Sequence, residues 1–226
     1  MKNKYLAAIA LILCLLCTGC SKPAEPPALT EVPEVTAVEE TAAPAAVINP
    51  LPDTTMDELE NAILAVSLEE GDAYVDDTGI MQMDVKIYTY DKYDMVDIAN
   101  LKVGDILTTH AGSVEVTTLE QTDFGTIRIN GGLDANGLEL NTGDQGFYFE
   151  CGFNDAKNWY EVGEATIRVS ADFIGYDISD LDAGEVIFYP GSFLIGEVAD
   201  YNFTPHNTTI RVEQGQIVEM HRRYTP

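Results

Sequence analysis

Basic residues are scarce in this chain of 226 residues, which has 12 lysines and arginines against 38 aspartates and glutamates. The formal net charge is −26 at pH 7. Because a field of that sign repels phosphate backbones, the composition argues against nucleic-acid binding. We therefore expect no nucleic-acid partner.

Cysteine is scarce as well, and three of the four cysteines lie within the first 20 residues. Only Cys151 is left in the rest of the chain, which excludes an intramolecular disulfide there. The apolar, alternating residues around it favour a buried thiol over a reactive one. Stability must therefore come from packing.

Catalytic motifs are absent too. The sequence has no Gly-x-Ser-x-Gly elbow, no phosphate loop and no dinucleotide fingerprint. The histidines at positions 110, 206 and 221 never have the spacing of two metal ligands on one helix face or strand. No catalytic residue, transition-metal ligand or cofactor is predicted from such patterns.

What is present begins at the N-terminus. Two lysines, Lys2 and Lys4, precede an apolar run over residues 5–16, which is too short to span a bilayer comfortably. The run leads into Cys17-Thr18-Gly19-Cys20, where small residues stand before the last cysteine. This arrangement predicts a cleaved secretory signal peptide over residues 1–19.

The Thr18-Gly19-Cys20 segment resembles the lipobox of bacterial lipoproteins, although Cys17 stands where that family usually has Leu or Val. The resemblance implies that Cys20 carries a diacylglycerol and becomes the first residue of the mature chain. Two acyl chains suffice for stable anchoring, so the membrane is the implied partner, reached through a lipid anchor. The alternative is an ordinary cleaved signal.

Residues 20–52 contain seven of the ten prolines and no aromatic residue. Such a segment cannot bury enough apolar surface to offset the entropy of ordering, so we predict a disordered linker. Residues 53–226, with 33 acidic and nine basic residues, have the length of one acidic domain.

Strand patterns dominate this domain. Residues 81–88 alternate strictly between apolar and polar side chains, and Asn136-Gly137 is a hairpin signal between Leu133 and Leu138. A capping-box pattern at Thr55-Met56-Asp57-Glu58 begins a predicted helix that ends near Gly71, with an apolar face formed by Met56, Leu59, Ile63 and Val66. We expect a mainly β fold, a small barrel or sandwich with one N-terminal helix.

Two segments of the domain align without gaps, residues 97–106 and residues 177–186, with four identical positions. Each follows an alternating strand, which raises the possibility of a pseudo-two-fold repeat. The shared Leu-x-x-Gly-Asp/Glu piece resembles the GD box of cradle-loop barrels, with Glu185 in place of the aspartate. That resemblance implies a topology and no activity.

Two groups of residues are candidates for ligand binding. Trp159 and Tyr160, near further aromatic residues, could form a platform on which a glycan stacks. A structural calcium ion is the most plausible metal for so acidic a domain, with two candidate groups of carboxylates: Asp72, Asp76 and Asp77, or Asp177, Asp180 and Asp182.

Together these patterns predict an extracytoplasmic, membrane-anchored envelope lipoprotein that presents a non-enzymatic β-rich module for an unknown protein or glycan ligand. Two alternatives stay open. One is an envelope hydrolase that uses acidic residues. The other is a calcium-stabilised glycan-binding domain. An open surface with exposed aromatic residues would favour the module, and a cleft with two desolvated carboxylates would favour the hydrolase.

Overall fold

The computed structural model describes residues 44–143, 146–152, 156–197 and 202–225. All of them belong to one compact unit, Ala43–Pro226. The expected mainly β fold is confirmed. Its elements in chain order are β1 (Val47–Ile48), β2 (Asn61–Ser67), β3 (Ala73–Val75), β4 (Met81–Thr89), β5 (Lys92–Asp94), α1 (Met95–Ala99), β6 (Ile106–Thr109), β7 (Gly112–Glu115), β8 (Leu119–Gln121), β9 (Ile127–Ile129), a 3₁₀ turn (Leu133–Ala135), β10 (Leu138–Thr142), β11 (Phe147–Glu150), β12 (Tyr160–Ile178), β13 (Val186–Phe188), α2 (Pro190–Leu194), β14 (Thr208–Glu213) and β15 (Gln216–Arg223).

Five strands close into a barrel. Strand β2 pairs with β4, β4 with β12, β12 with β15, β15 with β14, and β14 with β2 again. Only the β12–β15 pair in this ring is parallel. If β2, β4, β12, β14 and β15 are numbered 1 to 5 in chain order, their order around the ring is 1-2-3-5-4-1. This is the connectivity of the OB-type Greek-key barrel.

Strand β12 closes the ring because it is long enough to serve two neighbours. Its first half pairs with β4 as far as Arg168, and from Arg168 onward it pairs with β15. The pairing registers shift between Glu161 and Gly163 and again between Val169 and Ile174, where bulges bend the strand around the barrel.

Alternating apolar residues fill the barrel. In β4, Met83, Val85 and Ile87 are buried, which confirms the alternation expected from the sequence. They belong to a core to which all five strands contribute: Leu64, Val66, Met83, Val85, Ile87, Ile167, Val169, Phe173, Ile210, Val212, Ile217 and Met220.

The chain between β4 and β12, together with β1, forms a second small core. Its sheet has the order β5-β11-β10-β9-β8, and a further sheet has the order β1-β6-β7. Buried residues of both sheets meet in one cluster: Ile48, Tyr93, Ile98, Leu101, Leu107, Val116, Ile127, Ile129, Leu140 and Tyr148. The insertion between the second and third barrel strands therefore shares with β1 a core that is separate from the core of the barrel.

The expected N-terminal helix is wrong. Its predicted apolar face held Ile63 and Val66, but both lie in β2, where Val66 points into the barrel and Ile63 is 74% exposed. Leu64 and Val66, two residues apart, pack inward as a strand requires. Pairing with β4 and β14 outweighs the local helix signal.

The pseudo-two-fold repeat is also wrong. Leu101 is 6% exposed whereas its counterpart Leu181 is 69% exposed. The first segment begins in α1, and the second begins within β12. Gly104 and Gly184 both have positive φ, so the segments share a glycine turn and no equivalent place in the fold.

The predicted hairpin is confirmed, but its two strands are joined by a longer connection than expected. Strands β9 and β10 pair with Ile129 opposite Leu138, so the connection is longer than a two-residue turn. It includes the 3₁₀ turn, and Asn136 ends that turn with a φ of 58°. Gly137 is needed because a Cβ there would collide with the carbonyl of Ile129.

The folded unit begins before residue 53, which corrects the expected boundary between linker and domain. Val47 and Ile48 form β1 against β6, and the Ala46 amide donates to Asp105 Oδ1 at 2.9 Å. The predicted signal peptide, Cys20 and most of the linker lie outside the described residues. Among the described residues, no helix is long and apolar enough to cross a membrane.

Candidate functional site

The chain leaves the barrel at Tyr90-Asp91, after β4, and enters the part that forms the second core. It returns to the barrel at Trp159-Tyr160, where β12 begins. Neighbouring residues of an extended chain point to opposite faces. Tyr90 and Trp159 meet edge to face on one side, with ring centroids 4.8 Å apart. On the other side the Tyr160 hydroxyl donates to Asp91 Oδ1 at 3.1 Å. Two different sites result.

The Trp159 side is an aromatic cluster with lysines above it. Phe149 lies against Tyr90 at 5.8 Å between centroids. Lys157 Nζ lies 4.3 Å from the Tyr90 ring centre and 5.3 Å from that of Trp159, both within cation–π range. Lys92 Nζ lies 5.0 Å from the Tyr90 ring centre. The aromatic cluster therefore holds positive charge in a strongly acidic protein.

Trp159 also lines a cleft of about 710 Å³, within the size range of ligand sites. We call it the Trp159 cleft. Its described walls have Asn, Thr and His side chains, two permanent cations and no aspartate or glutamate: Gly152, Ala156, Lys157, Asn158, Trp159, Asn202, Thr204, Pro205, His206, Asn207, Thr208, Thr209, Arg223 and Thr225. Neither Lys157 nor Arg223 forms an ion pair with a described carboxylate.

One wall of the Trp159 cleft is held rigidly. Asn207 Oδ1 accepts from the Thr204 amide at 2.9 Å, and Asn207 Nδ2 donates to the Asn202 carbonyl at 2.8 Å. Phe203, between these residues, is buried beneath the Arg222 guanidinium, 4.7 Å from its ring centre. The polar groups of this wall are therefore positioned before any ligand arrives.

A neighbouring cleft of about 530 Å³ differs from the Trp159 cleft because acidic residues line it. It shares Asn202, Asn207, Arg223 and Thr225 with the Trp159 cleft, but Asp177, Asp180 and Glu197 line it as well. Among the described residues, the lack of acidic groups is therefore local to the Trp159 cleft.

On the Tyr160 side, Asp91, His110 and Glu150 bring one ligand-type atom each to within 4.8 Å of one another. Asp91 follows β4, His110 lies in the turn between β6 and β7, and Glu150 ends β11. Asp91 Oδ2 accepts from the His110 amide at 2.7 Å and lies 3.0 Å from His110 Nδ1. We call these three residues the Asp91–His110–Glu150 cluster.

Both carboxylates of this cluster are buried, Asp91 at 2% exposure and Glu150 at 6%. Burial raises the pKa of Glu150, and the Asp91 charge raises it further, against the opposing effects of Asn158 and His110. Burial and the Asp91 charge likewise raise the pKa of the Tyr160 hydroxyl, so it stays a hydrogen-bond donor. Glu150 Oε2 has no hydrogen-bond partner among the described residues.

Trp159 and Tyr160, which the sequence suggested as one platform, are therefore separated. Trp159 lines the cleft, but Tyr160 faces the Asp91–His110–Glu150 cluster and stacks on the His110 ring at 4.1 Å. Sequence reasoning missed the whole cluster because its members come from three distant segments. No spacing signal could have found it.

The two carboxylate groups suggested for calcium have other partners. Asp76 accepts from Thr78, Ile80 and Gln82, and those hydrogen bonds, led by the Thr78 hydroxyl, hold its pKa well below the usual range. Asp177 binds Arg222. Within the described residues, neither group gathers as a metal-binding set.

Cys151 is 1% exposed, which confirms the expected buried thiol. His206 lines the Trp159 cleft, and His221 pairs with Glu219. Comparisons with protein-family models, with curated proteins and with solved structures found no match. Function therefore has to be inferred from the residues and their geometry.

Proposed function

We propose that this protein is a membrane-anchored envelope lipoprotein whose β domain binds a glycan in the Trp159 cleft, without catalysis. The observation that carries this proposal is the composition of the cleft: one tryptophan, two permanent cations and a ring of neutral polar groups, with no acidic residue among its described walls. Sugar rings stack on tryptophan, and hydroxyl groups exchange hydrogen bonds with Asn and Thr side chains.

The charges of the cleft narrow the ligand class. Lys157 and Arg223 can each hold a carboxylate or a phosphate group. At a net charge of −26, however, the protein as a whole repels dense polyanions. A mostly neutral glycan with an isolated acidic substituent satisfies both conditions, whereas a nucleic acid does not.

The predicted lipid anchor would determine where in the cell the domain binds its ligand. The signal at residues 1–19, the lipid on Cys20 and a proline-rich spacer would hold the domain outside the membrane that carries it. The OB-type connectivity of the barrel is a fold-level analogy and does not identify the ligand.

A hydrolase that uses acidic residues is less well supported. Asp91 and Glu150 are the desolvated carboxylates that come together, but neither lines the Trp159 cleft. On the described walls of that cleft, a substrate bound against Trp159 would meet lysine, arginine and neutral groups. We therefore propose binding without turnover.

Trp159 is the only tryptophan of the chain, so its fluorescence reports directly on the cleft. The full-length chain, in a detergent without a sugar headgroup, is titrated with sialyllactose, which carries one carboxylate, and with neutral lactose. We expect a saturable fluorescence change with both sugars and affinity about tenfold higher for sialyllactose, which corresponds to about 1.4 kcal/mol.

Matched variants identify the source of the preference. Lys157→Gln and Arg223→Gln should each reduce the difference between the two sugars. Lys86→Gln and Arg168→Gln remove the same charges from exposed positions outside the cleft and should leave the difference unchanged. The proposal is wrong if neither sugar alters the fluorescence, or if all four variants behave alike.

A further inference from the structure

We propose that the Asp91–His110–Glu150 cluster is a binding site for one divalent transition-metal ion of the zinc class. This inference does not depend on the proposed glycan binding, since none of the three residues lines the Trp159 cleft. It goes beyond the sequence, which predicted no transition-metal site.

The geometry of the cluster suits a small ion. Two ligands bound tetrahedrally to Zn²⁺ at about 2.0 to 2.1 Å lie about 3.3 Å apart. Asp91 Oδ2 and His110 Nδ1 are separated by 3.0 Å, a hydrogen-bonding distance, and a bound ion would replace that hydrogen bond. The third ligand-type atom, a carboxylate oxygen of Glu150, lies within 4.8 Å of both.

One oxygen of each carboxylate already accepts a side-chain hydrogen bond from outside the cluster. Tyr160 donates to Asp91 Oδ1 at 3.1 Å, and Asn158 Nδ2 donates to Glu150 Oε1 at 2.7 Å. The His110 ring is fixed by its stack on Tyr160. Partners of this kind orient the ligands of metal sites. The second oxygens are Asp91 Oδ2, which accepts from the His110 amide, and Glu150 Oε2.

Glu150 Oε2 is the independent observation that points to a ligand. Glu150 is 94% buried, and this oxygen has no hydrogen-bond partner among the described residues. A buried polar atom without a partner is destabilising, and folded proteins rarely contain one. A bound cation would remove this cost, and it would also relieve the repulsion between the two carboxylates.

The ligand atoms select the ion. Calcium and magnesium prefer sites made entirely of oxygen, whereas imidazole favours zinc and its neighbours in the transition series. The His110 side chain is 26% exposed, which leaves one side of the cluster open to a water molecule as a fourth ligand.

The test uses the full-length chain in detergent, stripped with EDTA and titrated with Zn²⁺ alone against a chromogenic chelator. Excess Mg²⁺ is included so that it, and not Zn²⁺, binds the exposed carboxylates of the acidic surface. We expect one tight site per chain. Glu150→Gln, which keeps the shape of the side chain, and His110→Ala should each weaken it by about 100-fold or more, and Asn158→Ala by about 10- to 100-fold.

His221→Ala is the matched control because His221 also contacts a carboxylate, that of Glu219, outside the cluster. It should leave zinc affinity unchanged. Co²⁺ gives a second readout, since visible absorption bands of a four-coordinate ion should appear in the wild type and in His221→Ala and be absent from Glu150→Gln. Wild-type protein without a tight zinc site, or equal affinity in the wild type, Glu150→Gln and His110→Ala, would overturn the proposal.

Discussion

The Tyr160 hydroxyl donates a hydrogen bond of 3.1 Å to Asp91 Oδ1, across 69 positions of the chain. Asp91 follows the last residues of β4 and Tyr160 opens β12, so the bond ties together the two points where the chain leaves and re-enters the barrel. The insertion and the barrel are thereby joined by a partly buried polar contact.

Tyr160→Phe should remove that bond and leave the shape of the ring unchanged. Because Asp91 is buried, we expect a loss of about 1 to 3 kcal/mol in the free energy of unfolding, measured by urea denaturation. Tyr74→Phe is the control, since its hydroxyl makes a long, exposed contact with half-buried Asp84 at 3.5 Å. Equal losses in the two variants would contradict this prediction.

The sequence predicted the β class and strand β4 because alternation of buried residues is a local signal that the barrel preserves. It failed for β2, where a helix-like spacing of apolar residues was outweighed by pairing with two strands distant in sequence. The Asp91–His110–Glu150 cluster could not be predicted, because only the folded topology brings these residues together. Trp159 was identified from its residue type, but the cations beside it were not.

The short strand β1 offers a second prediction. Ile48 is buried in the second core, so Ile48→Ala in the full chain should cost about 2 to 5 kcal/mol of stability. Val47, its exposed neighbour in β1, serves as the control, and Val47→Ala should stay within about 0.5 kcal/mol of the wild type. Chemical denaturation checks both. If Ile48→Ala left the free energy of unfolding unchanged, the folded unit would have to start after β1.

Acid should weaken the contact between Asp177 and Arg222. Burial raises the pKa of Asp177, but hydrogen bonds from Arg222 and Ser179 outweigh it and leave the pKa below the usual value. A depressed pKa in the folded state stabilises the protein above the unfolded-state pKa of about 3.9, and this stability is lost as pH falls through the folded value.

Asp177→Asn should therefore be less stable than the wild type at pH 7, with a difference that shrinks below about pH 4. Urea denaturation at several pH values measures this. Asp172→Asn, at an exposed position of the same strand, should change stability little at any pH. A difference between wild type and Asp177→Asn that grows with acidification would have the wrong sign.

The predicted lipid anchor depends on one side chain. Cys20→Ala should abolish lipidation, so the protein should be released from membranes or accumulate with its signal uncleaved. Membrane fractionation and intact-mass analysis test this, with Cys17→Ala as the control that should still carry a diacylglycerol. Wild-type protein without the lipid mass would refute the lipoprotein assignment.

The most direct test of glycan binding is the position of the Trp159 indole N–H signal in a two-dimensional ¹H–¹⁵N NMR spectrum of the full-length chain during titration with sialyllactose. Since the chain has one tryptophan, the indole signal is unique. We predict that it shifts in a saturable manner together with the amides of Lys157, Thr209 and Arg223. An indole signal that stays in place at saturating sugar, or shifts confined to residues outside the Trp159 cleft, would contradict the proposed function.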